Sequence, residues 1–123
     1  MNKSILLIIP TLNEFGNIQK IYNKVQKTDK KINLLFIDDN STDGTRNIIL
    51  DLSKKNKKVK YIFRKKKLGI GSAHKLGIKL AKKKNFRYAC TMDCDGTHDP
   101  MHIKKMLKKI KDSDLVISNR FLK

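Results

Sequence analysis

Leu34-Leu35-Phe36-Ile37 is an unbroken apolar run, and the chain passes from it directly into Asp38-Asp39-Asn40-Ser41-Thr42-Asp43-Gly44-Thr45. A short apolar run bounded by turn residues is the pattern of a strand buried on both faces, as in a parallel sheet. The loop after it is small and polar throughout, the composition of a turn whose side chains and amides face a ligand or water. Ile48, Ile49 and Leu52 then fall at helical spacing, with the apolar stripe inward.

The same unit recurs on either side. Ser4-Ile5-Leu6-Leu7-Ile8-Ile9, bounded by Pro10, reads as the first strand. The loop Pro10-Thr11-Leu12-Asn13-Glu14 leads to a helix with Ile18, Ile21, Tyr22 and Val25 on one stripe. Val59-Lys60-Tyr61-Ile62-Phe63 reads as the third strand. A basic, glycine-containing loop, Arg64-Lys65-Lys66-Lys67-Leu68-Gly69-Ile70-Gly71, precedes a helix with Ala73, Leu76, Gly77, Leu80 and Ala81 inward. Tyr88-Ala89-Cys90-Thr91-Met92 is a fourth strand, ending in Asp93-Cys94-Asp95-Gly96. Asp99-Pro100 is a helix start, with Asp as N-cap and Pro at the first helical position. Ile103, Met106, Leu107 and Ile110 carry that helix, and Asp114-Leu115-Val116-Ile117-Ser118 is a fifth strand with Asn119-Arg120 just beyond it.

The alternation of strands and helices, without repeat or linker, predicts one α/β domain over residues 1–123. Its sheet is parallel, its crossovers right-handed, and its helices cover both faces in three layers. Ligands of such sheets bind at the C-terminal ends of the strands.

The length of 123 residues suits one domain with a core. The formal charge is +18, but of the 29 basic residues 25 are Lys and only Arg46, Arg64, Arg87 and Arg120 are Arg, the type suited to bidentate phosphate recognition. The lysines crowd helix-like segments and their ends, as in Lys54-Lys55-Asn56-Lys57-Lys58 and Lys82-Lys83-Lys84. They read first as solvated helix faces, next as attraction to an anionic membrane surface, and last as nucleic-acid contacts. The aromatics form no base-stacking stripe, so no nucleic acid is expected. The longest apolar run, Ile5 to Ile9, is far short of a membrane span, and the N-terminus shows no signal-peptide pattern. The expected location is the cytoplasm, with the cytoplasmic face of a membrane as the alternative. Cys90 and Cys94 are too far apart in an extended segment to form a disulfide and lack zinc-site spacing, so both read as reduced thiols.

Asp93 and Asp95 point the same way in extended chain, roughly 6–7 Å apart. At an effective dielectric of about 20 they repel by roughly 2–3 kcal/mol. A polar turn is the plain reading. A hard divalent cation carrying a diphosphate is the functional one, since Mg²⁺ takes one or two carboxylates and completes its shell with phosphate and water. Glu14, Asp38, Asp39, Asp43, Asp93, Asp95 and Asp99 gather in three segments, each after a strand. They are therefore expected to share one site, with Arg120 at the same edge. Gly69-Ile70-Gly71-Ser72 is either a backbone contact to the ligand or plain helix-start geometry; it is neither a Walker loop nor a full dinucleotide fingerprint. His98 and His102 straddle a helix start, and His74 reads as a helix histidine. No Ser-His-Asp or Cys-His arrangement emerges, and Cys94 between two carboxylates is expected to be a poor nucleophile. The acidic pair follows the second strand rather than the first, which argues against a response-regulator receiver domain.

Four blocks together resemble family 2 glycosyltransferases: Ile9-Pro10-Thr11-Leu12-Asn13-Glu14, Ile37 to Thr45, Leu68-Gly69-Ile70-Gly71-Ser72-Ala73, and Met92-Asp93-Cys94-Asp95-Gly96-Thr97-His98-Asp99-Pro100. Within that family the chain is most similar to the dolichol- or polyprenol-phosphate mannosyltransferase branch. The resemblance implies a nucleotide-diphospho-sugar transferase (GT-A) fold and a metal-dependent, inverting transfer of mannose or glucose. The donor would be GDP-mannose or UDP-glucose, and the acceptor a polyprenol or dolichol phosphate at an anionic membrane surface. Pro10, Leu12 and Glu14 would line the nucleoside pocket, and Ile37 and Asp39 would hold base or ribose. Gly69 would add a backbone contact. Asp93 and Asp95 would carry Mg²⁺ or Mn²⁺, Cys94 would touch the diphosphate through its backbone, and Arg120 would bind phosphate. Leu12 stands where the branch often has Tyr, and Asn40 and Thr97 are variants in their blocks. Family catalytic domains run on for roughly as long again, on the scale of about 100–250 residues. The chain is thus expected to be C-terminally truncated, with the acceptor side beyond Lys123. Two other readings stand beside this one: a family 2 transferase with a saccharide acceptor, and a non-catalytic basic module for anionic membrane or nucleic acid.

Overall fold

The computed structural model describes residues 5–94 and Lys105. Within them the order is β1 (Ile5–Thr11), α1 (Phe15–Thr28), β2 (Asn33–Asp39), α2 (Thr45–Lys55), β3 (Val59–Arg64), α3 (Ile70–Lys83) and β4 (Tyr88–Thr91). The helix expected from Asp99 and the strand expected at Asp114 lie outside the described residues.

Among the described residues the sheet has the order β3-β2-β1-β4, and every pairing is parallel. The chain first builds outward from β1 to β2 and β3, then returns to lay β4 on the other flank of β1. Right-handed crossovers running in opposite directions place their helices on opposite faces. The packing follows that rule. Ile18, Ile21 and Val25 of α1 and Ile49 and Leu52 of α2 share a core with Ile5, Leu7 and Ile9 of β1 and Leu34 and Phe36 of β2. Ala73 and Ala81 of α3 pack with Leu6, Ile8, Leu35 and Ile37 on the opposite face. Burial of both faces explains why these strands read as unbroken apolar runs.

β1, β2 and β3 run further than apolar content alone predicts, whereas β4 stops at Thr91, one residue short of the expected Met92. The ladder between β1 and β2 continues through Pro10↔Ile37 and Thr11↔Asp38. That between β2 and β3 continues through Asp38↔Phe63 and Asp39↔Arg64. Pro10 is tolerated for a specific reason. Ile8 turns its carbonyl toward β4, where it accepts from the Met92 amide. By the period of two, the nitrogen of Pro10 faces the same flank, beyond the last β1–β4 pair, Ile8↔Thr91, so no ladder bond is lost.

Gly77 sets the distance between α3 and the sheet. A Cβ at this position would lie 2.6 Å from Ile8 Cγ2 and 2.7 Å from Ile8 Cγ1 and Cδ1. The helices end in basic last turns: Lys27 in α1, Lys54 and Lys55 in α2, Lys82 and Lys83 in α3. Cations there offset the partial negative charge of helix C-termini. The βαβ order puts these ends at the N-terminal edge of the sheet, away from the loops after the strands.

Candidate functional site

The loops after β1 and β2 are bonded into one unit. The Asn13 amide donates to Ser41 Oγ at 2.8 Å, and the Thr42 amide to Asn13 Oδ1 at 2.9 Å. The Glu14 amide donates to Thr45 Oγ1 at 2.9 Å, and the Phe15 amide to Asp43 Oδ2 at 3.2 Å. Asp43 also accepts the amide and hydroxyl of Thr45. Asn13 and Asn40 hold left-handed backbone, with φ of 53° and 61°, a conformation that Asn tolerates better than most residues. The small polar residues between Asn40 and Thr45 therefore bond to one another and to the neighbouring loop.

The adjacent aspartates are separated by the pleat of β2. Asp38 lies on the α1/α2 side and is fully buried. Its Oδ1 accepts from Thr11 Oγ1 (2.6 Å) and Ser41 Oγ (2.5 Å), and its Oδ2 from the Ser41 amide (2.9 Å) and Arg46 Nε (2.8 Å). Asp39 lies on the α3 side. Its Oδ1 accepts from Arg64 Nε (2.5 Å), and its Oδ2 from Arg64 Nη2 (3.0 Å) and the amides of Leu68 (2.9 Å) and Gly69 (3.0 Å). Burial by itself raises both carboxyls. The bonds from Ser41, Thr11 and Arg46 at Asp38, and from Arg64, Leu68 and Gly69 at Asp39, outweigh it and hold both below the ordinary carboxylate range. At Asp43 the Thr45 hydroxyl is the main cause of a similar lowering.

Asp39 also shapes the basic loop after β3. Gly69 turns its amide to Asp39 and its carbonyl to Arg64 Nη2 at 3.1 Å, while that carbonyl accepts the Ala73 amide that opens α3. It does so at φ 95° and ψ 160°, a region open to glycine and strained for side-chain-bearing residues. A cavity of about 180 Å³ opens above this turn, lined by Pro10, Thr11, Leu12, Glu14, Asp39, Lys67, Gly69 and Ile70.

Of the residues singled out from sequence, Pro10, Leu12, Glu14, Asp39 and Gly69 meet around that cavity. Ile37 is placed differently: its side chain is fully buried in the core under α3, so only its backbone is near the strand end. Cys94 is buried in the α1/α2 core beside Met92. Asp93, just past β4, is half-buried. Asp95, Asp99, His98, His102 and Arg120 lie outside the described residues. Cys90 and Cys94 are not joined in a disulfide, and burial pushes the Cys90 thiol up. Among the described residues no three His, Cys, Asp or Glu side chains cluster to hold a metal.

The expectation that the acids form one ligand site is corrected for Asp38 and Asp43. Both are turned to internal donors, Asp38 because it faces α2 rather than the strand-end cavity. Thr11, Lys67 and Ile70 belong to the cavity and were not anticipated, nor were Arg46 and Arg64 as partners of the two aspartates. A signal existed: Arg is scarce here, and two of the four arginines directly follow an acidic loop or end a strand.

A parallel three-layer sheet with a cavity at its strand C-termini is the architecture of nucleotide-diphospho-sugar transferases of the GT-A type. The chain superposes on S. aureus TarS, solved with UDP, with a TM-score of 0.69 at 20% identity, over 90% of this chain and 33% of that one. Pyrobaculum calidifontis PcManGT, a mannosyltransferase solved with GDP-Man and Mn²⁺, gives 0.55 at 19% identity, over 64% of this chain and 24% of that one. The model of the family described as Glycosyl transferase family 2 matches residues 6–123, and the chain belongs to that family. It is 30% identical to the polyprenol monophosphomannose synthase of Mycolicibacterium smegmatis over 95% of this chain and 45% of the relative. The chain spans about half the length of the first curated relatives it matches. Among the described residues no helix is long and apolar enough to cross a membrane.

Proposed function

We propose that the chain binds a nucleotide-diphospho-sugar and serves its inverting transfer, with mannose the first choice of sugar, to a polyprenol or dolichol phosphate. The observation that carries this is the cavity at the strand C-termini, where Pro10, Leu12, Glu14, Asp39 and Gly69 converge in a family 2 glycosyltransferase chain. Its 180 Å³ is below the roughly 300–1,000 Å³ of a whole small-molecule site and suits the nucleoside end of the donor. Pro10 and Leu12 supply apolar walls and Glu14 a hydrogen-bond acceptor. Asp39, with its carboxylate already engaged, acts by holding the Leu68–Gly69 turn in place. Ile37 contributes through backbone.

The diphosphate end lies toward β4. Asp93 and Asp95 offer hard oxygen donors, while Cys94 is turned into the apolar core, a donor set that fits Mg²⁺ or Mn²⁺ better than a thiophilic ion. PcManGT, solved with Mn²⁺ and GDP-Man, supports the same choice. Asp93 and Asp95 would hold such an ion, which would supply positive charge against the departing nucleoside diphosphate. Cys94 backbone and Arg120 contact phosphate. The lipid-phosphate acceptor, supported by the polyprenol-named relative, is already ionised and needs no strong base.

Calorimetric titration of GDP-mannose and UDP-glucose, with and without Mn²⁺, tests the reading. One of them binds, and Mn²⁺ tightens it. Asp95→Asn weakens that metal-dependent binding at least about ten-fold, or about 1.4 kcal/mol, with the unfolding midpoint unchanged. Absence of binding by either donor, or indifference to metal, defeats the proposal.

A further inference from the structure

Three of the exposed large apolar side chains stand at the C-terminal edge of the sheet: Phe15 (51% exposed), Leu68 (46%) and Ile70 (59%). Leu68 and Ile70 flank Gly69 and follow exposed Lys65, Lys66 and Lys67. This segment is held firmly. Asp39 binds the Leu68 and Gly69 amides, and Arg64 binds the Gly69 carbonyl, so the backbone is held inward while Leu68 and Ile70, the latter also lining the cavity, stay exposed. Among the described residues, the other dense lysine groups, at the helix C-termini, lie at the opposite edge, and none of the exposed large apolar residues stands within them.

We propose that the 65–70 loop is the docking element for an anionic lipid surface. Lys65 and Lys66 meet headgroup phosphates, and Leu68 and Ile70 enter the interface, with Phe15 exposed at the same edge of the sheet. Juxtamembrane cations and apolar side chains act together in this way, because each alone holds weakly. Docking by this edge sets the mouth of the cavity against the lipid, whereas docking by the more numerous helix-end lysines turns it away. The proposal rests on the reading of a lipid-phosphate acceptor and names the surface by which that acceptor is reached.

Co-sedimentation of the 123-residue chain with vesicles of equimolar phosphatidylcholine and phosphatidylglycerol tests it, with phosphatidylcholine vesicles as the reference. Lys65→Gln/Lys66→Gln lowers partitioning about 25-fold, at about five-fold per lysine. Leu68→Ser lowers it about ten-fold. Lys54→Gln/Lys55→Gln, the same charge removed at the other edge, leaves most of it. The proposal is overturned if the helix-end pair loses as much as the loop pair, if Leu68→Ser binds like the parent, or if the parent does not prefer the anionic vesicles. Donor titration on the same proteins keeps the two readings apart. Vesicle binding without donor binding defeats the transferase reading alone, and the converse defeats the docking loop alone.

Discussion

Arg64 joins three structures through one guanidinium. Its Nε and Nη2 grip Asp39, Nη2 also reaches the Gly69 carbonyl, and Nη1 donates to Ser72 Oγ at 2.8 Å. The pair is nearly closed to solvent, with side chains 9% and 8% exposed. Removing one partner of a buried pair leaves the other charge desolvated and uncompensated, at a cost of about 3–5 kcal/mol. Arg64→Ala is therefore expected to lower unfolding free energy by about that amount in urea titrations. Arg64→Lys should recover only a minor part, because a single ammonium cannot span the carboxylate, the carbonyl and the hydroxyl. A loss below about 1 kcal/mol, the value of an exposed pair, would show that solvent reaches the bridge. Asp39 is thus both a wall of the cavity and the anchor of the turn beside it.

At the scale of elements, α3 rests on β1 through Gly77, and the Ile8 side chain occupies the space a methyl would need. Gly77→Ala gains helix propensity of about 1 kcal/mol but forces α3 or Ile8 to move, and overpacking of this kind costs about 1–3 kcal/mol. A net loss is expected because Ile8 is fully buried and has no free volume to retreat into. Ile8→Ala should cost less in the Gly77→Ala background than in the parent, and a double-mutant cycle by chemical denaturation reads that coupling; additive losses would mean the crossing relaxes by another route. The elements themselves were legible in the sequence. Leu34 to Ile37 and the stripe Ile18, Ile21, Tyr22, Val25 lie where periodicity puts them. The strand ends were not, because Asp38, Asp39 and Arg64 are polar and look like loop. What makes them strand is a neighbour in register, which no single segment displays. Once β2 is known to run through Asp39, alternation alone sends the two carboxylates to opposite faces. The positions of Pro10, Leu12, Glu14 and Gly69 were readable as one edge, while Lys67 and Ile70 joined the cavity only because Asp39 folds their loop.

Across the whole molecule, the surplus of positive charge and the depressed carboxyls pull stability in the same direction on acidification. Asp38, Asp39 and Asp43 all sit below their ordinary value of 3.8 in the folded chain. Unfolding there takes up protons, so their stabilisation is complete above about pH 4 and is lost as pH falls through the folded values. Protonation of the other acids meanwhile raises a net charge already at +18 and adds self-repulsion. The unfolding midpoint is expected to hold between pH 6 and 5 and to fall steeply below about pH 4, more shallowly in Asp38→Asn; a midpoint indifferent to pH in this range would contradict the buried, bonded state of these carboxylates. The strand order β3-β2-β1-β4 has a consequence for how such a protein can diversify. The cavity walls descend from β1, β2 and the loop after β3, whereas Asp93 arrives from the opposite flank of β1. On the proposed reading, the choice of nucleobase and the choice of cation are inherited through different stretches of chain. Either trait is then free to drift while the other stays under selection, and β1 is the boundary between them.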